Sequence, residues 1–442
     1  MSAVITRIPP SPTGRFHVGT ARTALFNYLF ARHNGGQFIF RSEDTDRTRS
    51  KKEYEDEIIA GLEWLGLSYD GFSRQSEHTS RYKELLEKLV DEDKAFISKE
   101  PSRDDQNTIV EVVRLRNPGM TVTFTDLIRG DITFDTTELG DFVIARALDD
   151  ALYHFAVVVD DMDAGVTHVI RGEDGISNTP RQILIQEALG APRPSYAHLP
   201  LILDEKRAKL SKRSGATSVM DYRDEGILPE ALINYLALLG WNPGDDREFF
   251  SLAELVEAFS LDNVQKSGAI WNREKLLSVN QHWMRKLSDE KFVAMLDFAN
   301  SEILKKTVPL LKERARSFGE AREMLSGELS CLFEKPSLDQ NQLIAKELSG
   351  HHGMTKSALE SLLGPLNALP ENVSAEVVKE ALMPIADAEE SLGKGGRGAV
   401  LWPLRYALSG QERSPDPFIL ISILGKAESI SRLQEAIAIL KE

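Results

Sequence analysis

The sequence predicts a doubly wound α/β domain split by an inserted α+β module and followed by an all-helical remainder. Three observations carry this. Residues 1 to about 75 alternate strand and helix signals, residues 92–149 hold short alternating β segments between Gly and Asp turns, and strand signals cease after residue 286.

Taken in order, Val4 and Ile5 begin a strand over 3–8. A turn built from Pro9, Pro10, Pro12 and Gly14 leads into a helix over about 19–32, whose first backbone N–H groups face the loop unpaired and suit an anion. QFIFRS at 37–42 predicts the second strand, and 51–65 the next helix, with Ile58, Ile59, Leu62 and Leu65 on one face. TVTFTD, DITFD and DFVIAR predict the β segments of the insert. AVVVDD at 156–161 and GVTHVIR at 166–171 predict a return to parallel strands, followed by a helix at 179–189 and a strand at 198–203. The first half is thus of Rossmann type. PEALINYLALLG opens with Pro229 in a first-turn position and stops at Gly240. Later helices start at Ser288, Thr355 and Ser374, with Pro/Gly breaks at 364–370, 393–398 and 414–417.

Composition narrows the function. At 442 residues the chain has the length of about three domains, and 42% hydrophobic content is ordinary for a folded protein. No run approaches the ~18 apolar residues of a membrane span. The first strand begins too early for a cleaved targeting peptide, so a cytoplasmic protein is expected. The lone cysteine, Cys331, excludes internal disulfides and multi-cysteine zinc sites and fits a buried small hydrophobe. A net charge of −15 argues against salt-driven, sequence-independent nucleic-acid affinity but leaves room for a local basic face. Lys305, Lys306, Lys312, Arg314 and Arg316 cluster, and Arg397 and Arg405 flank a late glycine stretch.

Two loops carry the chemistry. RIPPSPTGRFHVGTARTALFNYL, from Arg7, places His17 and Gly19 at a helix start, where an imidazole donor and close backbone approach suit phosphate oxygens. KLSKRSGA, from Lys209, groups Lys209, Lys212 and Arg213 in a loop of low apolar content, a supply of positive charge for polyphosphate. Neither GxxxxGK[ST] nor GxGxxG occurs. Glu43, Asp44 and Asp46 lie between Arg41 and Arg47 at a strand end, where mixed charge suits a zwitterionic amino acid or a ribose. Asp160 and Asp161 close AVVVDD, and Arg171 closes the next strand, able to hold a carboxylate bidentately.

These pieces resemble the class I aminoacyl-tRNA synthetases, specifically the bacterial glutamyl-tRNA synthetases. His17-Val18-Gly19-Thr20 is similar to the HIGH-type signature, and Lys209-Leu210-Ser211-Lys212-Arg213 to the KMSKS type. RSEDTD, YHFAVVVDD, THVIRGED, LPEALINYLALLGW and WPLRYALSGQ resemble further landmarks in the same order. The resemblance implies a Rossmann-type catalytic domain (1–75 and 156–235) with an acceptor-end-binding module inserted at 76–155. It further implies a helical connector at 236–305 and an all-helical anticodon-binding domain at 306–442. It implies that Arg7, Ser11, Glu43, Tyr153 and Arg171 shape a glutamate pocket, with Arg171 on the side-chain carboxylate and Glu43 on the ammonium. His17, Gly19, Thr20, Lys209 and Lys212 would surround ATP, Mg²⁺ would travel with it, and Lys212→Ala would slow adenylate formation by roughly 10²–10³. Arg397 and Arg405 are implied tRNA contacts, and a monomer the implied state.

The sequence also departs from the pattern. AFISKE stands where some relatives place zinc-binding cysteines, so no structural zinc is expected. His154 and Gly175 replace residues more usual in relatives, and Gly175 removes a bulky group from the amino-acid pocket. A glutamyl-queuosine-type tRNA modifying enzyme, which ends after the catalytic core, and a noncatalytic tRNA-binding paralogue are the alternatives. A glutaminyl enzyme would have a β-barrel where helices are expected here. Whether tRNA(Gln) is charged along with tRNA(Glu) stays open.

Overall fold

The computed structural model describes residues 3–101, 107–210, 218–345, 352–391 and 396–440. Two compact units divide the chain, Met1–Trp283 and Met284–Glu442.

In the first unit, β1 (Ile5–Ile8), β2 (Gln37–Ser42) and β3 (Gly71–Arg74) pair in parallel, linked by α1 (Val18–His33) and α2 (Lys52–Trp64). Apolar side chains commit these elements to one core: Phe38 and Phe40 of β2 and Val18, Leu25, Phe26 and Leu29 of α1 are buried. After α3 (Thr79–Asp91) come six strands: β4 (Ala95–Pro101), β5 (Ile109–Leu115), β6 (Thr121–Asp126), β7 (Gly130–Asp135), β8 (Val143–Ala147) and β9 (Asp150–Ala151). Four form an antiparallel sheet of order β4-β5-β8-β9, which takes in only DFVIAR of the three β segments expected in the insert. The β6–β7 hairpin instead joins the parallel strands β10 (His168–Gly172) and β11 (Ser195–Leu199) in the order β10-β11-β6-β7.

Thr167 connects the two parallel sets. Its N–H donates to the carbonyl of Ile5 at 3.0 Å, and its Oγ1 accepts from the N–H of Ile5 at 2.8 Å. The spatial order is therefore β3-β2-β1-β10-β11, with the reversal of strand order between β1 and β10. Open α/β sheets bind ligands at the carboxyl ends of strands beside such a switch point.

One expectation fails between them. AVVVDD is not a strand: residues Tyr153–Asp163 form helix α4. A short apolar run is compatible with a buried strand or a buried helix, and β-branched Val157, Val158 and Val159 tilt the sequence toward strand. Phe155, Ala156 and all three valines are buried, the mark of a helix apolar on every side because it lies in the core. Asp160 and Asp161 consequently sit on a helix, buried within the fold. Helix α5 (Thr179–Leu189) agrees with its expected bounds.

The rest of this unit holds the parallel pair β12 (Ile202–Leu203) and β13 (Ala269–Ile270), together with α6 (Val219–Asp224), α7 (Pro229–Leu238) and α8 (Leu252–Ala258). Helix α9 (Arg273–Lys286) leads to the second unit.

That unit is helical throughout its described residues: α10 (Asp289–Leu296), α11 (Glu302–Arg314), α12 (Phe318–Ser326), α13 (Gln340–Leu343), α14 (His352–Ala368), α15 (Ala375–Ser391), α16 (Gly398–Ser409), α17 (Pro417–Leu424) and α18 (Lys426–Ile439). Ser288 caps α10 by accepting from the N–H of Lys291. The break expected from residue 364 is displaced, because α14 runs through Gly364 and Pro365 to Ala368, and Thr355 lies inside it rather than at its start. Leu359, Leu362 and Leu366 are all fully buried along one face, so packing on both sides of the proline outweighs its roughly 3 kcal/mol penalty. Cys331 sits in a buried 3₁₀ turn, where burial pushes its thiol up to about 11 and keeps it protonated.

Candidate active site

A cavity of about 580 Å³ opens at the ends of β1 and β10, where the strand order reverses. Arg7, Ser11, His17, Gly19, Thr20, Tyr153, Arg171 and Lys209 all line it. Glu43 faces a neighbouring cavity of about 910 Å³, which Ser11 and Tyr153 also line. Lys212, with Ser211, Arg213 and Gly215, lies outside the described residues.

At the start of α1, His17 is the N-cap, its Nδ1 accepting from the N–H of Gly19 at 3.1 Å. With Nδ1 as acceptor, a neutral ring carries its proton on Nε2, 3.4 Å from Thr20 Oγ1, where it can donate to an anion. A Cβ on Gly19 would meet His17 Cε1 at 2.9 Å, so glycine here keeps the ring in place. The Lys209 ammonium holds Asp174 at 2.8 Å in an exposed pair.

At the end of β10, Arg171 is half-buried and pairs with no carboxylate among the described residues. Its Nε reaches His198 Nε2 at 3.1 Å, Nη1 donates to Gln182 Oε1 at 2.8 Å, and Nη2 donates to Thr179 Oγ1 at 2.8 Å and the Gly175 carbonyl at 3.0 Å. Burial lowers its pKa, the mark of a guanidinium charge with little local compensation. Arg7 is held by Asp161 at 3.2 Å, yet its Nη1 is buried with no hydrogen-bond partner. A buried donor without a partner beside a cavity calls for an acceptor on the ligand.

Behind Glu43 lies a network that the sequence alone did not reveal. Arg41 bonds Asp161 at 2.6 Å and Glu43 at 3.3 Å; Asp160 accepts from Gln75 Nε2 at 2.9 Å and Tyr82 Oη at 2.8 Å and lies 2.8 Å from His78 Nδ1. Burial raises the Asp161 carboxyl, but Arg7 and Arg41 together outweigh it and hold it below its ordinary value. At Glu43 burial wins and raises the pKa to about 7 despite Arg41 and Arg7. Burial and the neighbouring Arg181 and Arg171 lower His154 to about 4, so its ring is neutral at pH 7.

Comparison with known proteins resolves what this assembly belongs to. Residues 3–108 and 97–278 match the model of the tRNA synthetases class I (E and Q) catalytic domain, and residues 275–437 match an anticodon binding domain. The chain belongs to the class I tRNA synthetases of the E and Q group. It is similar to the glutamate–tRNA ligases of Syntrophobacter fumaroxidans (40% identical, 99% of this chain and 98% of that one) and Geobacter sulfurreducens (40% identical, 100% of both). Among solved structures, it is similar to a glutamate tRNA ligase from Elizabethkingia meningosepticum in complex with its amino acid. That match has a TM-score of 0.86, 31% identity and full coverage of both chains.

In this class I synthetase several cavity residues escaped the sequence reading. Arg22 of α1 is buried against the carbonyls of Leu239 (3.0 Å) and Pro200, and burial lowers it to about 10. Asp174 receives Lys209 in the cavity, while Asp126 with His198, outside its lining, backs Arg171. Arg22 lies within the RIPPSPTGRFHVGTARTALFNYL stretch, but a helical arginine reads as surface charge in one sequence and no local signal marks it as buried. The Asp174 pairing had a weak one, in the acidic THVIRGED stretch.

The residues expected on a tRNA face lie in the second unit. Arg397 Nε pairs with Asp387 at 2.6 Å, while the guanidinium of Arg405 lies 4.9 Å over the ring of Trp402. The basic cluster is largely paired: Lys305 with Glu302, Lys312 with Asp289, Arg314 with Glu328 and Arg316 with Glu320.

Proposed function

We propose that the chain is a glutamate–tRNA ligase, attaching L-glutamate to the 3′ end of tRNA(Glu) at the expense of ATP. The observation that carries the reading is the Arg171 guanidinium, held by neutral acceptors at the cavity wall with its charge left for a carboxylate, beside the orphaned Nη1 of Arg7. The full-length relatives named glutamate–tRNA ligase support it independently.

In this reading the α-carboxylate of glutamate attacks the α-phosphorus of ATP, giving glutamyl-adenylate and pyrophosphate. The terminal ribose hydroxyl of tRNA then attacks the activated carbonyl, and AMP leaves. No protein nucleophile is needed, so the protein's contribution is positioning and charge. Arg171 takes the substrate's side-chain carboxylate. Arg7, Ser11 and Tyr153 line the same wall, and Glu43 accepts the ammonium from the adjoining cavity. His17 Nε2, Gly19, Thr20 and the lysines at 209 and 212 surround the phosphates, with Mg²⁺ entering as part of the ATP complex. Residues 76–155 serve the acceptor end, 236–305 connect, and 306–442 take the anticodon, with Arg397 and Arg405 among the contacts.

We take the working protein to be a cytoplasmic monomer. Separately, no described helix is long and apolar enough to cross a membrane. A matched anticodon domain over 275–437 disfavours a queuosine-type enzyme that ends after the catalytic core. Aminoacylation with labelled glutamate, ATP and Mg²⁺, using tRNA(Glu) and tRNA(Gln) in parallel, tests the reading. Charging of tRNA(Glu) is expected, charging of tRNA(Gln) as well defines a nondiscriminating enzyme, and charging of neither would overturn it.

A further inference from the structure

Behind Arg171 lies a histidine that the cavity does not reach. His198 on β11 is the cross-strand partner of Arg171 on β10 and is 0% exposed. Its Nδ1 lies 2.6 Å from Asp126 Oδ2, and its Nε2 lies 3.1 Å from Arg171 Nε. The other oxygen of Asp126, Oδ1, is already engaged, accepting from the backbone N–H of Ile128 at 3.0 Å and of Arg129 at 2.9 Å. An ionised carboxylate only accepts, so the ring proton sits on Nδ1, and the Nε2 lone pair then takes the Nε–H of Arg171. The opposite tautomer would set its Nε2–H against the Nε–H of Arg171 at 3.1 Å, with only the more distant Thr179 Oγ1, at 3.3 Å, to accept it.

We infer that Asp126 and His198 are positioning residues for substrate selection: Asp126 fixes the tautomer of His198, and the ring lone pair orients the Arg171 guanidinium toward the substrate's side-chain carboxylate. This rests on the reading of Arg171 given above and deepens it. A neutral imidazole does what a carboxylate in the same place could not, holding the guanidinium still without cancelling the charge that the substrate must meet. Its other neighbours, Gln182 Oε1, Thr179 Oγ1 and the Gly175 carbonyl, are neutral acceptors too. Burial and the positive charge of Arg171 keep His198 neutral against the pull of Asp126, while that carboxyl stays below its ordinary value, its burial outweighed by His198 and the two backbone N–H groups.

Asp126→Asn tests the inference at almost unchanged shape. The Asn oxygen keeps the two backbone N–H bonds, which turns its Nδ2–H₂ toward His198 Nδ1 and drives the ring proton to Nε2, against Arg171. The expected result is a glutamate KM raised roughly 10–100-fold, the scale of losing a hydrogen bond to a charged group. The ATP KM and the kcat at saturating glutamate should move less than about threefold. Ring ¹⁵N spectra, with His198 assigned by its loss in His198→Gln, should pass from the Nδ1–H to the Nε2–H form. Arg171→Ala runs beside it. Should Arg171→Ala leave the glutamate KM unchanged, the reading of Arg171 falls and this inference with it. Should Arg171→Ala raise that KM while a normally melting Asp126→Asn does not, only the positioning role is overturned. The wild-type spectrum decides even if Asp126→Asn fails to fold, since an Nε2–H ring at His198 refutes the inference outright.

Discussion

A Cβ placed on Gly175 would meet Arg171 Nε at 2.6 Å, Cδ at 2.9 Å and Cζ at 3.1 Å, so the room a side chain would take is already filled by the arginine. The sequence suggests that glycine here loosens a pocket wall; the structure gives it the opposite effect, because the Arg171 guanidinium closes over it and bonds its carbonyl. Gly175→Ala should therefore push Arg171 off its acceptors and raise the glutamate KM by about tenfold, since a displacement near 1 Å costs that much or more in a preorganised site. Steady-state aminoacylation over a glutamate series checks this, and an unchanged KM would mean that Arg171 does not hold the substrate. Glu43 gives a second prediction. Its carboxyl, raised to about 7 by burial, is ionised and able to receive an ammonium only above that value, so kcat/KM for glutamate should climb as pH rises from about 6 to about 8. Glu43→Gln should flatten the climb and lower the plateau; a variant that keeps the wild-type profile would remove Glu43 from substrate binding.

Helix α4 shows how one element serves both the core and the site. Its apolar residues lock it into the interior, and its carboxylates at 160 and 161 then meet Arg41 of β2 and Arg7 of β1. Asp161→Asn would leave two buried guanidinium groups short of one negative charge, at a cost of roughly 3–5 kcal/mol, the range for breaking a buried pair. Urea denaturation at pH 7 measures the loss, and a change below about 1 kcal/mol would show that Asp160 and Glu43 suffice. The pH dependence has a definite sign. The Asp161 carboxyl lies lower in the folded chain than its ordinary value, so its stabilisation is present above about pH 4 and is lost as pH falls through the lower folded value. Little of this was legible beforehand. Strand β2, helix α5, the first-turn Pro229 of α7 and the Ser288 cap of α10 follow from local signals that the structure reproduces. A helix made from three consecutive valines does not, because its state is decided by burial on every side, which depends on residues far away in sequence. Asp126 and His198 stand 72 positions apart and meet only once β6 reaches β11, so no motif could announce them.

At the scale of the whole chain, a net charge of −15 and a partner as anionic as tRNA impose a constraint: binding must come from a few favourable places rather than from the overall field. The lysines and arginines at 305–316 looked like one such place, yet most are tied to neighbouring carboxylates, and a paired cation contributes little to counterion release. Arg405 differs. Its guanidinium is stacked over Trp402 and, among the described residues, donates only to the carbonyl of Glu412, so it keeps its charge beside an aromatic face, the combination that single-stranded bases and phosphates use. Arg405→Ala should raise the KM for tRNA(Glu) by roughly tenfold while leaving the KM for glutamate and for ATP unchanged, because the catalytic cavity belongs to the other unit. The wild-type tRNA affinity should also fall more steeply with salt than that of the variant. Equal salt slopes and an unaltered tRNA KM would move the anticodon contacts away from Arg405 and leave its pairing with Trp402 as packing within the helical unit.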